Sequence, residues 1–157
     1  MNLQSISLDT VQQHDRVLIH QLWSNANVRQ YLGGIVQPMQ IDDHFLKLLH
    51  NPTNDMHFII RENEKGIGLI TIDDYYEEGK KEISYQLLPE YWQKGIAAYC
   101  MRKVLTIVKD TYGLADIYAE TQEKNTASRR LLEKLGFVPY ATLVRYNEQQ
   151  TDRKSVV

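Results

Sequence analysis

Between residues 82 and 108 a strand pattern stops, a short polar turn intervenes and a helix pattern begins. Glu82 to Leu88 reads as a strand, and Pro89, with no N–H to donate, breaks its ladder. Tyr91-Trp92-Gln93-Lys94-Gly95 then leads into Ile96, Cys100, Val104 and Val108 at fourfold spacing, with Ala97, Met101 and Leu105 beside them. The first turn of any helix has backbone N–H groups without intrahelical partners, so small residues opening a helix after a strand present a fan of donors to an anion. Such a junction points to an α/β fold, and by itself it is either an ordinary helix start after a tight turn or an anion-facing one.

The rest of the chain reads as strands and helices in the order β-α-α-β-β-β-α-β-α-β-β. Leu3 to Leu8 alternates as a first strand, and Asp9 and Thr10 offer a cap to a helix carrying Val11, Leu18, Ile19 and Leu22. Helical character continues from Trp23 to Tyr31 and stops at Gly33-Gly34, and a second helix covers about Ile41 to Leu49, ended by Asn51-Pro52. Strands over Met56–Arg61 and Ile67–Ile72 flank a polar turn at Glu64-Lys65-Gly66. After the long helix come a strand at Asp116–Thr121, a helix at Thr126–Leu135 that Gly136 terminates, a strand at Phe137–Tyr146 and a short tail strand near Ser155-Val156-Val157.

At 157 residues, with 43% apolar and 24% charged side chains, the chain reads as a single domain over 1–157. A formal net charge of −2 gives no general attraction for nucleic acid or anionic membranes. The N-terminus lacks the pattern of a signal peptide and no apolar run is long enough to span a bilayer, so a cytoplasmic location is expected. Cys100 is the only cysteine, which excludes an internal disulfide. His14, His20, His44, His50 and His57 show no metal-ligand spacing, and no metal is expected.

Thirty residues beyond the turn stand Asn125-Thr126-Ala127-Ser128, Leu131 and Glu133-Lys134-Leu135-Gly136-Phe137. Taken with Trp92, Gly95 and Ala97 in the turn, and with Leu22 to Gly34 upstream, they resemble the GNAT superfamily of N-acetyltransferases, and within it the ribosomal-protein N-acetyltransferase (RimJ/RimL-like) branch. The resemblance covers nearly the whole chain. It implies a mixed, mostly antiparallel central sheet flanked by helices, acetyl-coenzyme A as co-substrate and a primary amine as acceptor. Two positions depart from the family pattern. Gln93 stands where many relatives carry glycine beside the pyrophosphate, and it can offer its backbone N–H there if its φ is negative. Leu132 stands where many members place a tyrosine that protonates the leaving thiolate.

The resemblance implies that backbone N–H groups of Gln93, Lys94, Gly95, Ile96 and Ala97 bind the pyrophosphate, with the Lys94 ammonium either adding charge or simply solvated. It places the pantetheine arm beside Gln86-Leu87-Leu88, where the N–H of Leu87 or Leu88 could polarise the thioester carbonyl. Asn125 is either a cofactor contact or a helix N-cap, and Ser128 either bonds the cofactor near its thiol or bonds its own backbone. Glu82 matches a glutamate that serves as base in some members; the alternative is an ion pair with Lys80 or Lys81. Asp73, Asp74, Glu77 and Glu78 either solvate a turn or line the acceptor cleft. For the acid, Ser128, Tyr140 and Tyr85 are candidates and none is assigned.

An α-amine with a pKa near ~8 is roughly 10% neutral at pH 7, whereas a lysine near ~10.4 is below about 0.1%, so an N-terminal amine needs only a weak base. The acceptor is a protein N-terminus or a small-molecule amine, attacked directly in a ternary complex. No nucleic acid or membrane is expected as a partner, and the chain is a monomer or homodimer. The competing expectation, motivated by Gln93 and Leu132, is a non-catalytic acyl-coenzyme A sensor or interaction module on the same fold.

Overall fold

Local side-chain bonds reshape the start of the chain. In the computed structural model, which describes residues 2–51, 55–145 and 148–156, Asn2 Oδ1 accepts from Gln4 N and a 3-10 turn takes Leu3–Ser5. The strand expected from Leu3 therefore begins only at Ile6, as β1 (Ile6–Asp9): a short polar side chain offers the backbone an alternative to the ladder. The helix expected from Asp9 also starts late. A second 3-10 turn covers Gln13–Asp15, and α1 (Arg16–Trp23) follows. Asp9 caps nothing helical, because its carboxylate bonds Arg61 Nε at 2.9 Å; Val11 lies ahead of the helix.

Asn25 Oδ1 accepts from the N–H groups of Asn27 and Val28 and so starts α2 (Ala26–Arg29). The next helix, α3 (Pro38–His50), begins three residues before the expected start because Pro38 sits in its first turn, where a missing N–H costs nothing. It ends on Asn51 at φ 47°, and Pro52 lies outside the described residues. β2 (Met56–Glu62) and β3 (Lys65–Asp74) flank Asn63, whose φ of 54° asparagine tolerates in a turn. Then come β4 (Lys81–Leu87), a 3-10 turn over Pro89–Tyr91, α4 (Ile96–Tyr112), β5 (Asp116–Gln122), α5 (Thr126–Lys134), β6 (Phe137–Arg145) and β7 (Glu148–Val156).

The seven strands follow the order β1-β2-β3-β4-β5-β7-β6. β4 and β5 run parallel, while β1·β2, β5·β7 and β6·β7 are antiparallel. This is the mixed, mostly antiparallel, helix-flanked sheet expected. The last strand is the main difference: in place of a short tail, β7 is nine residues long and lies between β5 and β6. Tyr146 and Val157, assigned to the last two strands from sequence, fall outside the described residues.

The chain divides into two compact units, residues 1–71 with 85–100, and residues 72–84 with 101–157. The first is built on Leu18, Ile19 and Leu22 of α1, Ile41 and Phe45 of α3, and Ile59, Ile60, Ile67, Leu69 and Ile70 of β2 and β3, all buried. Inside it Arg61 forks onto both oxygens of Asp15 at 2.9 Å each. The second unit buries Met101, Val104 and Val108 of α4 with Ile117, Tyr118, Leu132 and Phe137. Among the described residues no helix is long and apolar enough to cross a membrane.

Candidate functional site

The residues expected to carry the chemistry fall into two groups, one in each unit. In the first, the end of β4 is fixed by its neighbours. Leu88 N donates to Ile67 O at 2.9 Å, so this amide is already engaged by β3. Successive N–H groups along a strand point to opposite sides, which turns the Leu87 amide away from β3. The Leu87 carbonyl accepts the Trp92 indole N–H at 2.7 Å. Of the two amides expected as oxyanion donors, that of Leu88 is therefore already engaged within the sheet. Gly68 makes the packing here possible: a Cβ on it would meet Gln86 O at 2.7 Å and Leu87 Cδ1 at 2.8 Å.

Beyond the 3-10 turn the backbone turns left-handed twice, at Gln93 (φ 60°) and Gly95 (φ 77°). The negative φ on which the Gln93 amide was expected to depend is absent. Gln93 instead holds a left-handed backbone of the kind glycine adopts freely, at a strain of about 1–2 kcal/mol. The first helical bond runs from Tyr99 N to Gly95 O at 3.1 Å. Ile96, Ala97 and Ala98 therefore supply amides with no intrahelical acceptor, at the positive end of a 17-residue helix. Lys94 Nζ lies 5.6 Å from the Tyr91 ring centroid, and a shallow cleft of about 600 Å³ is lined by Asn2, Ser5, Glu62, Gln93 and Lys94.

In the second unit, the register places Glu82 opposite Tyr118 and Glu120 opposite Asp152. Residues paired across strands share a face, so Glu82, Tyr118, Glu120 and Asp152 project to the same side. Burial, then the nearby Asp152 and Asp73 carboxylates, push the half-buried Glu82 up to about 7. Burial and the adjoining Asp152 raise Glu120 to about 8. Tyr75 donates its hydroxyl to Asp152 Oδ2 and stacks on Tyr118 with centroids 4.4 Å apart; burial and that contact raise its pKa. Arg145 Nε reaches Glu120 at 3.3 Å.

These shifts predict how stability depends on pH. A carboxyl whose folded pKa lies above its free value of 4.5 binds its proton more tightly in the folded chain. Its contribution is undiminished below about 4.5 and is lost as pH rises towards about 8, because the unfolded chain ionises first. Asp9 and Glu77, held below their usual values by Arg61 and by Tyr140 and Lys80, act only under more acidic conditions. The melting midpoint is expected to fall between pH 5 and pH 8, and Glu120→Gln to flatten the fall, as read by differential scanning calorimetry across that range.

The two lysines considered as partners for Glu82 are engaged elsewhere: Lys80 bonds the Tyr118 hydroxyl at 2.7 Å and Glu77 at 2.9 Å, and Lys81 pairs with Asp74 at 2.7 Å. Asn125 Oδ1 accepts from Ser128 N at 3.1 Å, which makes it the N-cap of α5. Ser128 itself is 7% exposed. Leu132 is buried in the core at 1% exposure. Tyr140 donates to Glu77 Oε1 at 2.6 Å, which raises its pKa. Sequence reading missed Tyr75, Glu120 and Asp152. Glu120 was accessible through its alternation with Tyr118 in β5, whereas Asp152 lies in a strand without apolar alternation.

A family model described as "Acetyltransferase (GNAT) domain" matches residues 6–138. A Bacillus subtilis (strain 168) protein described as the uncharacterized N-acetyltransferase YoaA is 30% identical over 149 residues, spanning 90% of this chain and 84% of its own. Among solved structures, spermidine N-acetyltransferase from Vibrio cholerae, in complex with CoA and spermine, superposes with TM-score 0.84 at 22% identity, covering 98% of this chain and 96% of its own. The ribosomal-protein-S5-alanine acetyltransferase from Vibrio fischeri gives TM-score 0.80 at 18% identity, with 99% and 95% covered. The chain belongs to the GNAT acetyltransferase family. It is accordingly an N-acetyltransferase that uses acetyl-coenzyme A.

Proposed function

We propose that the chain transfers the acetyl group to a primary amine by direct attack within a ternary complex, as a single domain over 1–157. The RimJ/RimL-like branch and a cytoplasmic location form part of this reading. The observation that carries it is Glu82: half-buried, on the strand that ends at Leu87, with a carboxyl brought close to neutrality by burial and by Asp152 and Asp73.

Acetyl-coenzyme A supplies an acetyl thioester when bound. The unpartnered amides opening α4 suit its diphosphate, and the left-handed Gln93 and Gly95 shape the turn that leads to them. Gln93, Lys94, Gly95, Ile96 and Ala97 hold the diphosphate, and Asn125 and Ser128 line the path of the pantetheine arm. The Leu87 N–H stabilises the carbonyl oxygen as it gains charge. Glu82 takes a proton from the incoming amine. An N–C bond forms, the C–S bond breaks and the thiolate leaves, to be protonated from water. Two kinds of acceptor fall within the reading, small amines and protein N-termini, since the structural neighbours include enzymes named for each.

The test is an isothermal titration with acetyl-coenzyme A against ATP, followed by coenzyme A release in the presence of amines. Micromolar binding that ATP does not reproduce is expected, and Gln93→Gly is expected to bind at least as tightly because the left-handed backbone is then unstrained. Absence of binding would overturn the reading. Binding without turnover across a broad amine panel would leave the sensor alternative in its place.

A further inference from the structure

One side-chain oxygen on the strand that ends at Leu87 has nothing to bond. Gln86 is half-buried on β4. Its Oε1 is closed off from solvent, with no hydrogen-bond donor among the described residues. Buried polar atoms without partners are uncommon in folded proteins, and an orphaned acceptor carries the full loss of its hydration. The donors nearby are engaged elsewhere: Leu88 N bonds Ile67 O at 2.9 Å, and the Trp92 indole N–H bonds Leu87 O at 2.7 Å. The Leu87 N–H runs along the sheet, whereas the Gln86 side chain stands off its face.

The strand determines which face that is. Side chains alternate along β4, so Ile83 and Leu87, both buried, take one face, and Gln86 takes the other with Glu82. The Gln86 backbone is held close to β3: a Cβ on Gly68 would meet its carbonyl oxygen at 2.7 Å. A thioester lying against β4 like an added strand has its plane near that of the sheet. A nucleophile then reaches the carbonyl carbon from a face of the sheet. The face of Ile83 and Leu87 is filled, which leaves the face of Gln86 for the amine.

We propose that Gln86 Oε1 accepts an N–H of the attacking amine, aims its lone pair at the acetyl carbon and so selects primary over secondary amines. A neutral primary amine has two N–H groups and one lone pair. The lone pair forms the N–C bond, one N–H gives its proton to the base, and the other remains for Gln86. A secondary amine has a single N–H, which the base takes, and the Gln86 oxygen stays orphaned. Sites made to hold a substrate N–H reject analogues that lack it, because the buried acceptor is then left unpaired. The bond also tightens during the reaction. The nitrogen gains positive charge on attack, and charge-assisted hydrogen bonds are stronger than neutral ones. The inference rests on the acetyltransferase reading and adds a specificity-determining residue to it.

The test compares the parent chain with Gln86→Met and Gln86→Leu in coenzyme A release. The acceptor is n-butylamine or an alanyl peptide, whichever the parent acetylates faster, beside its N-methyl derivative. Each substitution is expected to lower kcat/KM for the primary amine by about 10–100-fold and to leave the N-methyl derivative nearly unchanged, so the preference collapses. Acetyl-coenzyme A affinity, read by isothermal titration, is expected to stay the same. The melting midpoint is expected to hold or rise, since an apolar side chain removes the orphaned acceptor. A purely structural role would lower the midpoint and both rates together. If one variant fails to fold, the other decides. A preference that survives substitution, equal losses for the two amines, or weakened acetyl-coenzyme A binding overturns the inference. So does a parent that binds acetyl-coenzyme A and acetylates neither amine, whereas a parent that fails to bind it overturns the acetyltransferase reading instead.

Discussion

Glu82→Gln is expected to lower kcat/KM for the amine by about 10²–10⁴-fold while leaving the affinity for acetyl-coenzyme A unchanged. Glutamine preserves the size of the side chain and its place opposite Tyr118, but it accepts no proton. Steady-state kinetics across pH make the result specific. In the parent protein the acidic limb of the profile reports a group near 7, where burial and the Asp152 and Asp73 charges have brought Glu82. In the variant that limb disappears, and the remaining dependence follows the ionisation of the amine alone. A variant with unchanged kcat/KM would remove Glu82 from the reaction and return it to a structural role.

The second large effect concerns stability. Asp15→Ala is expected to cost about 3–5 kcal/mol, the usual consequence of stranding one member of a buried ion pair. Arg61 has a side chain only 7% exposed and forks onto Asp15, itself 2% exposed. Its remaining partner, Asp9, is 46% exposed and offers one contact to Nε. Without Asp15 the guanidinium stays buried and loses two of its three hydrogen bonds to carboxylates. Total stabilities of domains run to about 5–15 kcal/mol, so the loss is a large share. Urea unfolding measures it, and the double change Asp15→Leu with Arg61→Met identifies the cause. If unpaired charge is the problem, the apolar pair is less damaging than Asp15→Ala alone; if packing is, it is equally damaging.

What the sequence disclosed depended on how each element buries itself. α4 shows Ile96, Cys100, Val104 and Val108 on one face, all of them buried, and its start at Gly95 could be read to the residue. β7 could not be read this way. Gln150, Thr151, Asp152 and Arg153 are polar yet buried, because the strand runs between β5 and β6 and its polar groups meet partners from elsewhere in the fold. Hydrophobic alternation is silent when both faces of a strand are polar, so Asp152 and its pairing with Glu120 were invisible. Glu82 was singled out through resemblance, while the burial and the Asp152 charge that raise its pKa became apparent only with the sheet register. Gln93 illustrates a third limit. A left-handed backbone is announced by glycine and concealed by glutamine, although the chain path there is of the glycine type.

The bond from the Trp92 indole to the Leu87 carbonyl has a spectroscopic side. The chain has two tryptophans, and Trp92, 43% exposed, is tied by its only polar side-chain atom to the carbonyl of the residue whose N–H is proposed to face the thioester. Indole emission responds to hydration and to the hydrogen bond at the ring nitrogen. The strand end therefore carries a built-in fluorophore, and a chain in which Trp23 is phenylalanine would report events at Leu87 in a single colour, without a label.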